Sequence, residues 1–178
     1  MKNLTLALAI IILVSCSQDN TQDSLTIFTS RQPQLIEPIL ERYTEKTGIE
    51  VTLLSGNAQQ LMERIDIEGK DSKADIFMTV DAGVLWQASE RGILESVKSE
   101  ILNTNIPSHL RDVDGEWFGL SKRARTIVFS KDQFSKEDFS SYEDLSYPKW
   151  TGKLCLRTSK KVYNRSLIAS MIDANGFE

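Results

Sequence analysis

Apolar and polar positions fall along this chain in blocks of different period. Residues 4–14 are almost wholly apolar, and residues 17–23 are polar without periodicity. The apolar block is too short to span a bilayer as a mature helix, and the polar run reads as a flexible tether. Residues 25–29 cluster β-branched and apolar side chains, as a buried strand does. Leu35, Ile36, Ile39, Leu40 and Tyr43 recur at helical spacing. Pro38 is tolerated best in a first turn, so the regular helix starts near it, and Gly48 suits its C-cap. Residues 49–54 alternate as a second strand, broken by Ser55-Gly56-Asn57. Leu61, Met62, Ile65 and, less regularly, Ile67 line a second helix that ends near Gly69. Residues 74–80 read as a third strand, and residues 84–89 as a short helix stopped by Gly92. The order βαβαβα favours a largely parallel sheet covered by helices, with ligands at the carboxyl ends of the strands. Ser30, Arg31, Asn57 and Asp81 are cleft candidates on that ground.

After the turn Asp112-Val113-Asp114-Gly115 the pattern changes. Residues 117–120, 126–129 and 154–157 read as strands, residues 142–145 as helical with Ser140 or Ser141 as cap, and residues 148–153 as a turn. Residues 164–175 form a helix with Leu167, Ile168, Met171 and Ile172 on its apolar side.

The composition, 40% hydrophobic and 26% charged in 178 residues, permits a packed core. Lys2 and the amino terminus precede the apolar block, and Ser15-Cys16 close it; the stretch resembles a bacterial lipoprotein signal. Residues 1–15 are then removed, Cys16 carries lipid, and residues 16–23 tether the protein to a membrane surface without crossing it. The alternative is an ordinary secretory signal with an incidental cysteine; either way the chain is exported. The mature chain carries 20 bases against 25 acids, which argues against nucleic acid as a partner. Cys155 is its remaining thiol, and an odd cysteine in an exported chain implies a free thiol or a missing partner.

Five segments, in order, resemble the periplasmic ferric-iron-binding proteins of ABC transporters. They are Thr29-Ser30-Arg31-Gln32-Pro33-Gln34-Leu35-Ile36-Glu37-Pro38; Ala74-Asp75-Ile76 with Thr79-Val80-Asp81-Ala82; Trp117-Phe118-Gly119-Leu120-Ser121-Lys122-Arg123-Ala124-Arg125; Tyr142-Glu143-Asp144-Leu145 with Pro148-Lys149-Trp150; and Cys155-Leu156-Arg157-Thr158-Ser159 running into Tyr163-Asn164-Arg165-Ser166-Leu167. The resemblance implies a two-lobed α/β periplasmic-binding-protein fold. Residues 24–122 would be the first lobe, and residues 123–178 the crossover strand and an incomplete second lobe. It also implies a C-terminally truncated sequence, whose continuation would supply two adjacent tyrosines that bind the metal and a cysteine able to pair with Cys155.

Fe(III) favours hard oxygen donors, and a phenolate is one. The resemblance makes Tyr163 an iron ligand; by itself the residue reads as a half-buried tyrosine at a helix start. It makes Arg123 the holder of a carbonate-like anion, a task that suits a guanidinium fork. Arg125, two residues on, backs up Arg123 or forms a structural ion pair, and Arg31 touches the anion or closes the lobes. Gln32 and Pro33 stand where some members carry His and Tyr ligands, so this chain is expected to use tyrosines plus an anion. Asn57 and Asp81 lie at predicted strand ends near the cleft; Asp81 could ligate or accept hydrogen bonds but reads first as a cap, and His109 reads as a surface residue. Trp86, Trp117 and Trp150 read as core or lobe-packing residues.

The implied function is that of an exported solute-binding protein in the periplasm or at the cell surface, lipid-anchored at Cys16. It would capture Fe(III), with carbonate or bicarbonate as synergistic anion, and pass it to an ABC transporter permease. No enzymatic step is implied, no nucleic acid is a partner, the membrane is met only through the lipid, and a monomer is expected. Two alternatives stay open: a binding protein for another small anionic solute using the same arginines, and a truncated remnant without function. An enzyme with Cys155 as nucleophile and His109 as base has the least support, because only Arg157 lies near to activate the thiol.

Overall fold

Three parallel strands carry the first half of the molecule in a computed structural model that describes residues 23–176. The expected signal, Cys16 and most of the tether lie outside the described residues. Strand β1 (Ser24–Thr29) is central, with β2 (Glu50–Ser55) on one side and β3 (Ile76–Met78) on the other. Ile27 pairs with Leu53 and with Ile76, fixing the register. Flanked on both edges, the second half of β1 is buried: Ile27 and Phe28 are core residues, and Thr29 is fully buried with them. The Thr29 hydroxyl is satisfied by accepting the Arg31 N–H at 3.0 Å.

Helix α1 (Glu37–Thr47) has Pro38 in its first turn and ends at Gly48, whose φ of 76° is the left-handed C-cap the sequence predicts. Ile36 is buried and Leu40 half-buried, while Leu35, Ile39 and Tyr43 are exposed; the apolar stripe is wider than the part of it that is covered. Helix α2 (Ala58–Glu68) is capped by Asn57, whose Oδ1 accepts the N–H groups of Gln59 and Gln60. Leu61, Met62 and Ile65 are buried, but Ile67 is 87% exposed. Two residues of helix turn a side chain by about 200°, so Ile67 stands on the far side from Ile65. Arg64 rests over the Phe28 ring at 5.0 Å and pairs with Glu68 at 2.6 Å. That hydrogen bond holds the Glu68 carboxyl below its ordinary range.

The described residues form two compact units that meet in sequence between Met78 and Thr79. In the second, α3 (Ala82–Glu90) starts at Asp81, and α4 (Glu100–Asn105) starts at Ser99, whose Oγ accepts the Leu102 N–H. The sequence reading missed α4, because six residues are too few to show a helical period. Residues 112–115 turn as expected: Gly115 adopts φ 77°, and the Asp112 side chain accepts the Asp114 and Glu116 N–H groups. The arms of this turn meet through one bridge, Arg111 with Phe118.

The strands expected over residues 117–120, 126–129 and 154–157 are absent from the described residues. Their apolar and β-branched pattern is real, but a strand exists only through hydrogen bonds to a neighbour. Residues 117–120 reach only the single bridge to Arg111, the other two segments have no ladder partner among the described residues, and Val128 and Leu156 remain exposed. The unit's apolar centre is instead aromatic. Phe139 stacks on Trp150 and on Phe129, each at 4.8 Å, and Phe134 packs against Trp150 at 5.4 Å. Trp150 is buried as expected and Trp117 half-buried, but Trp86 is exposed. It lies two residues from the fully buried Ala88 of α3, on the opposite side of that helix. The last helix, α5 (Val162–Asn175), begins two residues earlier than expected.

Candidate functional site

The second unit gathers arginines around one tyrosine. Tyr163 is the second residue of α5, half-buried, at the end where free backbone N–H groups favour negative charge. Arg123 reaches it from forty residues away, its Nη1 donating to Tyr163 Oη at 3.1 Å. Its Cζ lies 5.3 Å from the Tyr163 ring centroid. The Arg125 and Arg157 Cζ atoms lie at 6.0 and 5.5 Å from the same centroid. Arg123 and Arg125 sit two residues apart in a segment without regular secondary structure, and both reach the same ring.

Local bonds fix the tyrosine's surroundings. Asn164 Nδ2 donates to the Arg157 carbonyl at 2.6 Å, tying that residue's backbone to the first turn of α5. Ser166 Oγ, one turn along, lies 3.0 Å from both Asp81 Oδ2 and the Val162 carbonyl. Asp81 Oδ1 accepts the Gly83 N–H at 2.9 Å. Both Asp81 oxygens are therefore engaged, and the residue is the cap that its position suggested.

The other candidates fall elsewhere. Arg31 lies in the first unit, half-buried directly after β1. Asn57 Oδ1 is engaged as the cap of α2. Gln32 accepts a hydrogen bond from Gln34. His109 is exposed in a short 3₁₀ turn, Ser108–Leu110, and Cys155 is an exposed free thiol. Among the described residues no group of three His, Cys, Asp or Glu side chains is placed to hold a metal. The hard donor on offer is the Tyr163 hydroxyl. No described helix is long and apolar enough to cross a membrane. Sequence reasoning placed Arg157 in a family-like segment beside Cys155 but gave it no role at the tyrosine. The signal it passed over is the absence of any acid between residues 145 and 172, against six bases.

This parallel α/β scaffold, followed by a unit that surrounds a phenol with guanidinium groups, is of the solute-binding class. Residues 28–164 match the bacterial extracellular solute-binding proteins, and the chain belongs to that family. It is 42% identical to iron uptake protein A1 of Synechocystis sp., over 94% of this chain and 49% of that protein. Its fold is similar to that of Trichodesmium IdiA (FutA) in complex with iron and citrate ligands. There the TM-score is 0.79 and the identity 45%, covering 86% of this chain and 48% of the other. The ferric binding protein from Campylobacter jejuni gives a TM-score of 0.80 at 37% identity, covering 86% and 49%. These neighbours are two-lobed α/β proteins. The chain spans about half the length of the curated relatives it matches.

Proposed function

We propose that this protein captures Fe(III) outside the cytoplasm and delivers it to an ABC transporter permease. Tyr163 is the iron ligand it contributes, and Arg123 holds a carbonate-like anion beside the metal, with Arg125 and Arg31 as further anion contacts. Cys16 carries the lipid that keeps the protein at a membrane surface, and the protein acts as a monomer without catalysing a reaction. Residues 24–122 serve as one lobe, and residues 123–178 contribute the crossover and part of the other.

The observation that carries this reading is the Arg123–Tyr163 hydrogen bond, which joins the two residues expected to hold anion and metal. The chemistry follows from the side chains. Binding Fe(III) displaces the phenolic proton to solvent, and the phenolate supplies a hard anionic oxygen. The guanidinium fork holds two oxygens of a planar anion, whose remaining oxygen is free to face the cation. The arginines and the phenolate thus meet a metal–anion pair better than either ion alone. The similarity to proteins named for iron, and in the Campylobacter jejuni case for ferric binding, supports the choice of cargo.

The test is optical. Purified protein given ferric citrate and bicarbonate is expected to develop a visible tyrosinate-to-iron absorption band, and Tyr163→Phe to weaken or shift it. No band in the unsubstituted protein, with anion binding retained, would assign the site to a small anion instead. An unaltered band and affinity in Tyr163→Phe would remove Tyr163 from the site.

A further inference from the structure

Strand β2 is an open edge of the first unit's sheet, and among the described residues no strand lies on its outer side. The Glu50 N–H donates to the Asp23 carbonyl at 3.2 Å and the Gly56 N–H to the Thr29 carbonyl at 3.0 Å. In this parallel ladder the even-numbered residues of β2 therefore turn their backbone groups to β1, and Val51, Leu53 and Ser55 turn theirs outward. Such a row is a template for one more strand.

A groove of about 700 Å³ lies between this edge and α1. Leu40, Val51 and Leu53, each half-buried, supply its apolar part. Glu37, Glu41 and Glu45 of α1 and Glu50 of β2 also line it, all exposed, and no lysine or arginine does. The three helix glutamates are four residues apart, so they form one ridge of like charges that repel. Helix α1 has bases of its own, Arg42 and Lys46, but they too stand four apart, offset from that ridge. Exchanging Glu41 with Arg42 would make every one of these pairs attractive. The sequence instead keeps the signs apart, a local rule broken without local gain. The one ion pair among the described residues is Arg64 with Glu68, so none offsets the ridge.

We propose that this groove docks a basic extended segment of another protein, which adds to β2 as a fourth strand. The outward backbone groups of Val51 and Leu53 carry the ladder, and the glutamates select a basic segment over a neutral or acidic one. The spacings agree. Side chains two apart on a strand are separated by about 6.6 Å, and residues four apart on a helix by about 6 Å. Lysine or arginine at every second position thus keeps step with the ridge. The site lies wholly in the first unit and needs nothing from the iron site proposed above. An edge merely guarded by charge would bind no strand.

The probe is a short fluorescein-labelled peptide alternating lysine with valine, titrated with the whole chain at about 0.15 M ionic strength and read by anisotropy. One comparison peptide replaces lysine with glutamate. Another replaces valine with proline, keeping the charge but removing N–H groups that a ladder needs. The lysine–valine peptide is expected to bind, the proline peptide to bind at least about tenfold more weakly, and the glutamate peptide not to bind. The double variant Glu41→Gln/Glu45→Gln is expected to weaken lysine–valine binding about tenfold. Glu63→Gln removes an exposed charge from α2 and is expected to stay within about twofold. Val51→Pro deletes an outward N–H that an edge strand can spare, and is expected to weaken binding as much as the double variant. No binding of the lysine–valine peptide, equal binding of the proline peptide, equal effects of the double variant and Glu63→Gln, or unchanged binding in folded Val51→Pro would overturn the proposal. If Val51→Pro does not fold by circular dichroism, the double variant and the proline peptide decide. Loss in both supports the docking site, and a missing loss in one overturns it.

Discussion

Gly119 shows how one residue can control a turn's two arms. Its N–H donates to the Leu110 carbonyl at 2.7 Å, and a Cβ built there would lie 2.7 Å from that same oxygen. The obstacle is backbone, not a side chain that swings aside. Gly119→Ala is expected to cost about 1–3 kcal/mol, the usual range for forced overpacking, measured by denaturant unfolding. Gly48 is a contrasting case, because nothing lies within 4 Å of a Cβ there and only its positive φ demands glycine. Tyr163 belongs to this scale too. The helix expected over residues 164–175 placed it just before a helix start, one step short of its position inside α5, and its arginine neighbours were not readable. Arg123 lies forty residues away and Arg157 precedes a turn, and no spacing rule reports which side chains such a turn brings to one ring.

At the scale of elements, the first unit follows its period closely. Strand, helix and strand succeed one another with a proline at a helix start and a left-handed glycine at its end. Capping of α2 by Asn57 is a local device, although Ser55-Gly56-Asn57 read only as the break after the second strand. Asn57→Ala is expected to cost about 1 kcal/mol, seen as a lower midpoint in urea with an unchanged slope. The exceptions have one cause. The segments at residues 117–120, 126–129 and 154–157 have strand-like composition, yet a strand is a relation between two segments and their composition names no partner. Helix α5 is legible because its hydrogen bonds close within itself.

For the whole molecule, the two units are built on different principles. The first buries mainly aliphatic side chains, together with the one ring of Phe28, in and against a parallel sheet, with Ile27, Leu61, Met62 and Ile65 at its centre. The second centres on stacked rings around Trp150, and it carries the basic stretch in which Tyr163 lies. Under the proposed function, the anion held by Arg123 beside Tyr163 makes iron capture anion-dependent. Ferric loading in buffer depleted of bicarbonate and of other oxyanions is expected to weaken about tenfold or more, as charge-assisted hydrogen bonds are lost. Restoring bicarbonate recovers it. Competition by a coloured iron chelator measures the change. Loading that is indifferent to every oxyanion would remove the anion from the binding step.

The order of elements in the first unit, the glycine cap of α1 and the family resemblance could all be read from the chain itself. Each depends on neighbours a few residues apart or on motifs kept in order. Tertiary structure alone decided which apolar residues are covered and which extended segments find a partner. It also decided that Arg123, Arg125 and Arg157 converge on Tyr163. Those outcomes depend on distances between residues remote in sequence, and only the folded backbone sets such distances.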